Sequence, residues 1–117
     1  MSVNLAVVRG VCSSPAEVRV LPSGSTLVLL QVTTRTGDEP AVSVPVVVWD
    51  PPATVGELDV GDEIVAVGRV RRRFFRTGAA TASRVEIEAT QVVPAAARRR
   101  VHAALRRATS GLDEFLD

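Results

Sequence analysis

The residues best equipped for chemistry stand between Gly68 and Gly78: Arg69, Arg71, Arg72, Arg73 and Arg76, with Phe74 and Phe75 among them. An apolar run, Ile64-Val65-Ala66-Val67, leads into them, so the stretch reads as a strand that ends in a glycine turn. Side chains alternate along a strand, which places Arg69, Arg71, Arg73 and Phe75 on one face and Val70, Arg72 and Phe74 on the other. A single-stranded nucleic acid needs such a row, with cations for its phosphates and a flat surface for a base. A solubilising edge strand would look the same, because edges are commonly charged against aggregation. Arg71 and Arg73 are the strongest phosphate candidates, followed by Arg69, Arg76 and Arg84, with Arg35 completing the set. Arg72, facing the other way, is expected to pair with an acid, and Phe74 to pack in the core or against another subunit.

Other residues have two readings each. Trp49 is either a base platform or a plug for one end of the fold. The cluster Arg98-Arg99-Arg100 with Arg106-Arg107 suits phosphates, an acidic partner or a solvated face. Arg9 and Arg19 would extend the basic strip. Nothing points to catalysis. His102 has no cysteine or carboxylate at metal-ligand spacing, and Ser13, Ser14 and Ser23 have no motif-paired base. Glycine-rich phosphate loops are absent, so no catalytic residue, metal site or cofactor is expected. Glu57, Asp59, Asp62 and Glu63 read as solvated turn acids.

Composition narrows the class. All 14 cationic residues are arginine, which grips phosphate with two bonds and stacks on bases, although a GC-rich coding sequence gives the same bias. The net charge of +1 conceals segregation: residues 69–84 hold six arginines and no acid. A chain of 117 residues makes one domain, and its valine-rich composition favours strands. Cys12 stands alone, so no disulfide framework or zinc quartet is expected, and the thiol should be buried. No leader-like segment and no apolar run of membrane-spanning length is present, which makes the cytoplasm the expected location.

Strands are expected over 3–11, 17–21, 26–34, 41–49, 63–75 and 81–93. Pro45 sets its end of the fourth at an edge or bulge. One or two helical turns fit 53–58, and a helix opened by Pro94 fits 95–108, followed by a short acidic and apolar end. The order predicts an all-β chain: a five-stranded OB-fold barrel with a short helical connector and a C-terminal helix. Residues 1–94 would form the OB-fold domain, and 95–117 the arginine-rich helix and acidic tail.

Four pieces then occur in a telling order. They are Val7-Val8-Arg9-Gly10, Pro15-Ala16-Glu17-Val18-Arg19, Leu21-Pro22-Ser23-Gly24, and Val46-Val47-Val48-Trp49 followed by Val60-Gly61-Asp62-Glu63-Ile64-Val65-Ala66-Val67-Gly68-Arg69-Val70-Arg71. Over residues 3–93 the chain resembles the bacterial single-stranded-DNA-binding protein (SSB) family, as a divergent or paralogous member. The spacing from V-V-V-W to G-D-x-x-x-V-x-G-R is the most specific part. The resemblance implies an OB fold that binds single-stranded DNA without sequence preference in replication, repair or recombination. It also implies a homo-oligomer, a tetramer or else a dimer.

Family stacking positions fall on Trp49 and Phe75, and a third falls on Ser43, which cannot stack. The loop around Gly37 is shorter than the family's basic loop. Weaker binding or a shorter footprint is implied. The family's acidic tail recruits replication proteins. Here an arginine-rich helix replaces the linker, and Asp113-Glu114-Phe115-Leu116-Asp117 keeps acid and Phe without the proline. The tail either contacts replication or repair proteins or folds back on the barrel. Two functions compete: a coat for single-stranded DNA, or an OB-fold protein-interaction module with weak or lost DNA binding, docking through helix 95–108.

Overall fold

The computed structural model describes residues 2–115; Leu116 and Asp117 of the acidic tail lie outside them. The elements run β1 (Ala6–Cys12), β2 (Glu17–Val20), β3 (Thr26–Thr34), β4 (Val42–Trp49), α1 (Ala53–Gly56), β5 (Glu63–Thr77), β6 (Ala80–Pro94) and α2 (Arg98–Thr109). A 3-10 turn follows over Leu112–Phe115. The sheet order is β1-β5-β6-β4-β3-β2, and β1 also pairs with β3. Five strands therefore close into a hydrogen-bonded ring, with β2 as an outrigger that pairs with β3 alone. Every contact in the ring is antiparallel except β4 with β6.

Valine-rich alternation builds the interior. Val28, Leu30 and Val32 of β3 meet Val46 and Val48 of β4, Ile64 and Ala66 of β5, and Ile87, Ala89 and Val92 of β6. Their burial removes apolar surface from water, the main driving force for closing the ring. Val55 of α1 adds to this core, as does fully buried Cys12. Burial, reinforced by the charge of Asp62, pushes the Cys12 thiol above its usual range. Pro45 pairs with β3, while β6 engages β4 only over Val46–Val48. The proline thus sits where β4 has one neighbour and needs no second amide donor.

One irregularity shapes the long β5–β6 hairpin. The pairing runs Val67 with Gln91 but Gly68 with Ala89, so Thr90 is an extra residue in β6. Its hydroxyl donates to the Val67 carbonyl at 3.2 Å. The bulge reverses the parity of β6. Gln91 and Val93 share the outer face with Glu88 and Glu86, while Ala89 and Ile87 stay inside. Gly68 makes this possible, because a Cβ there would strike the Glu88 carbonyl oxygen and come within 2.7 Å of the Ala89 Cα.

The helix begins later than Pro94 suggests. Pro94 remains in β6 opposite Ile64, and the Ala95 amide donates to the Glu63 carbonyl at 2.9 Å, which holds the chain extended. From Arg98 onward α2 lies on the outer face. Ala97, Val101, Ala104, Leu105 and Ala108 cover Val65, Val67 and Val93. This second apolar layer ends at Val67. Among the described residues, no helix is long and apolar enough to cross a membrane.

Substituting Gly68→Ala should destabilise the protein by about 1–3 kcal/mol, as other overpacked sites do. Urea unfolding will measure it, and an unchanged midpoint would mean that the close approach at the bulge does not constrain the fold.

Candidate nucleic-acid interface

Beyond Val67 the outer face of the hairpin changes character. Arg69, Arg71, Arg73 and Phe75 of β5 stand opposite Glu88, Glu86, Arg84 and Ala82 of β6. α2 does not reach them, so the row faces outward. Phe75 is 37% exposed, and Ala82 across from it is too small to cover the ring. Val47 of β4 lies beside Glu88, and Trp49, two residues on, presents its ring on the same outer face at 43% exposure. Asp50 fixes the end of that strand. It takes a positive φ of 46°, its amide donates to the Thr26 carbonyl at 2.7 Å, and its carboxylate accepts the Thr26 amide at 2.8 Å.

Strand geometry gives the scale of this surface. Phe75 and Trp49 lie on opposite sides of the Arg69–Glu88 level, eight residue steps apart along the strands and two strands across. At about 3.3 Å per step and 4.8 Å per strand, the rings are roughly 25–30 Å apart. The arginines occupy the interval.

Two carboxylates lie beneath the guanidiniums. Arg69 donates to Glu88 Oε1 through Nε at 3.2 Å and Nη2 at 2.8 Å, and Arg71 donates to Glu88 Oε2. Glu86 is the one buried charged residue among those described, 1% exposed, between Arg73 at 3.9 Å and Arg84 at 3.7 Å. Its Oε2 and the Nε atoms of Arg73 and Arg84 make no hydrogen bond. Four cations over two anions leave a surplus of two positive charges. Glu88 orients Arg69 and Arg71 by hydrogen bonds, Glu86 places a negative charge between Arg73 and Arg84, and the outward N–H groups remain available to phosphate.

The remaining candidates fall elsewhere. Arg76 pairs with Thr81 and lies on the opposite face, with Val70, Arg72 and Phe74, because the alternation continues to the turn. It cannot continue the row. Arg72 donates to the Ser83 hydroxyl at 3.0 Å and not to an acid. Phe74 is 66% exposed, so it takes no part in the core. Arg35 lines a separate hollow beside Arg9 and Glu63 at the β1–β3 seam. Arg9 itself is engaged, donating to Glu63 through Nε at 3.0 Å and Nη2 at 2.6 Å. Ser43 lies opposite Thr33 on the outer side of β4 and supplies no ring.

Reading β5 alone misses Glu86 and Glu88. The hairpin supplies the signal: counting back from the Gly78 turn sets Glu86 opposite Arg71 and Glu88 opposite Arg69. Among the described residues, no group of three or more His, Cys, Asp or Glu side chains is placed to hold a metal ion. No protein-family model matches the chain, and a search of curated proteins finds no match.

The hydrogen bond from Arg71 holds the Glu88 carboxyl below the usual carboxylate range, against an opposite pull from burial, with help from Arg69. The folded-state value thus lies under the unfolded one, near 4.3 for glutamate. The stabilisation is fully present above that value and is lost as pH falls through the lower folded one. Glu88→Gln should cost about 1 kcal/mol at neutral pH and flatten the acid limb of stability against pH. Denaturant unfolding from neutral pH to about pH 2 checks this; parallel wild-type and variant curves would contradict it.

Proposed function

We propose that the protein is an OB-fold single-stranded-DNA-binding protein akin to the SSB family. The strand backbone would run along Arg69, Arg71, Arg73 and Arg84, with bases stacked on Phe75 and Trp49. One observation carries this reading: two exposed rings flank four arginines on one outer sheet face, and α2 covers that face only short of the arginines. A closed ring of five strands with a helical connector between β4 and β5 supports the OB assignment, which is a five-stranded Greek-key barrel. The span between the rings accommodates several nucleotides, within the roughly 4–16 typical of one OB fold. The binding is electrostatic and stacking-based, with no base-edge readout along the row, so sequence preference should be slight.

The opposite face of the hairpin supports self-association. Val70, Phe74 and Val85 are all exposed there around Arg72, a largely apolar surface of the kind that a second copy of the chain would cover. An oligomer built through this side leaves the arginine row open. The same exposed surface would also serve the second reading, a protein-interaction module with weak or lost DNA binding, as a docking place for a replication or repair protein in addition to the helix 95–108 first expected to carry it. In neither reading does the protein act as an enzyme.

Trp49 is the chain's one tryptophan, so its fluorescence reports directly on the site. Titration with oligo-dT should quench it. The logarithmic salt dependence should have a slope of about −1.4 to −2.8, reflecting two to four phosphates neutralised on a single strand. Phe75→Ala should weaken binding by about 1–3 kcal/mol, the worth of one stacked base. Absence of both quenching and a gel shift at low salt would reject DNA binding and leave the interaction module.

A further inference from the structure

Where α2 meets the Trp49 end of β4, the surface opens into a cleft of about 370 Å³. Its walls include Trp49, Pro52, Gln91, Arg100, Ala103 and Arg107. Arg100, Ala103 and Arg107 recur at three- and four-residue intervals, so they form one face of the helix, with the small Ala103 leaving room between two long side chains. Both arginines are exposed, and neither pairs with a carboxylate among the described residues. The sheet contrasts with this, since Arg9, Arg19, Arg69, Arg71, Arg73 and Arg84 each have a glutamate partner. Asp50 also borders the cleft, but its Oδ1 already accepts the Thr26 amide, and the local balance stays positive.

The cleft joins the arginine row. Gln91, on its floor, pairs with Val67, two residues before Arg69 on the same outer face. Its amide makes no hydrogen bond to another described side chain. A space of this size suits a small ligand, with an aromatic wall on one side and cations on the other. Seven residues of helix separate the two arginines by about 10 Å, on stems long enough to converge on the phosphates either side of one base.

We infer that this cleft is a nucleotide subsite through which α2 lengthens the single-strand track: a base stacks on Trp49, Arg100 and Arg107 take its flanking phosphates, and Gln91 faces the base edge. The inference rests on the single-stranded-DNA reading above. It makes α2 part of the binding surface instead of a solvated cover for Val65 and Val67.

The test compares two double variants that remove the same charge from different helix faces: Arg100→Ala with Arg107→Ala, and Arg99→Ala with Arg106→Ala. Alanine is the best helix former, so α2 should persist in both, as unchanged helical circular dichroism and thermal unfolding would check. Anisotropy titrations use short and long oligo-dT. The 100/107 variant should lose about tenfold in affinity for long oligo-dT, the scale of one stacked, phosphate-held nucleotide, and its salt slope should become shallower by about 1.4. Short oligo-dT should bind it like wild type. The 99/106 variant should stay within about twofold of wild type for long oligo-dT, because its arginines face away from the cleft. If wild type binds oligo-dT while the 100/107 variant binds equally well, the subsite is overturned and the DNA reading stands. Equal losses in both variants would reduce the effect to bulk charge and also overturn it. If wild type binds no oligo-dT, both proposals fall together. Displacement of oligo-dT by an oligo-glutamate peptide at equal charge, dependent on Arg100 and Arg107, would assign the cleft to an acidic protein partner and overturn the nucleotide.

Discussion

The arrangement depends on a single extra residue. Thr90 interrupts the pairing of β5 with β6 at Gly68, and the parity of β6 changes there. On one side of that point the outer face presents Val65, Val67 and Val93, which need cover and receive α2. On the other side it presents Arg69, Arg71 and Arg73 over Glu86 and Glu88, which need water or counter-charge. Without the bulge, outward positions of β6 near the ring would carry inward residues onward, and the buried Ile87 and Ala89 would change places with the glutamates. A glycine at 68 is the steric condition for this packing, since the Glu88 carbonyl occupies the space of its Cβ. One hairpin thereby supplies both a wall of the core and a charged outer surface.

The glutamates under the arginines limit what that surface can do. Adjacent guanidiniums repel, and four on one face of a hairpin would oppose folding if nothing lay between them. Glu88 bridges Arg69 and Arg71, and Glu86 sits buried between Arg73 and Arg84. This reduces the net field to about half of what those four arginines suggest, so the proposed affinity for single-stranded DNA would rest on geometry and stacking as much as on charge. α2 differs in this respect. Its arginines have no such bed: among the described residues Arg98, Arg99, Arg100, Arg106 and Arg107 all lack a carboxylate partner, whereas on β5 only Arg72 and Arg76 do.

Much of the ring was legible because valine-rich alternation, glycine turns and prolines act locally. The third strand, 26–34, coincides with its observed limits, and the others differ by a few residues at their ends. The two faces of residues 69–75 followed from strand period alone. Long-range pairing was less visible. Glu86 and Glu88 enter the site only through the hairpin register, and a bulge is not announced by any residue type. Arg76 looked like a continuation of the row but lies on its reverse side, and Arg35 belongs to the β1–β3 seam. The helix start moved from 95 to 98 because the Glu63 carbonyl captures the Ala95 amide, a contact between residues 32 positions apart. Which side of α2 meets the sheet could be read from Val101, Ala104, Leu105 and Ala108. That its other flank would stand beside Trp49 could not, because that depends on where the chain leaves β4 at Asp50.

Backbone and side-chain NMR of the labelled protein during oligo-dT titration tests most directly whether the proposed face, from Arg69 to Phe75, meets a polynucleotide. The Nε–H signals of Arg69, Arg71 and Arg73 and the Trp49 indole N–H should move together, while those of Arg72 and Arg76 hold still. Movement confined to Arg72, Arg76 and the Phe74 side, or to Arg9 and Arg35 at the seam, would contradict it.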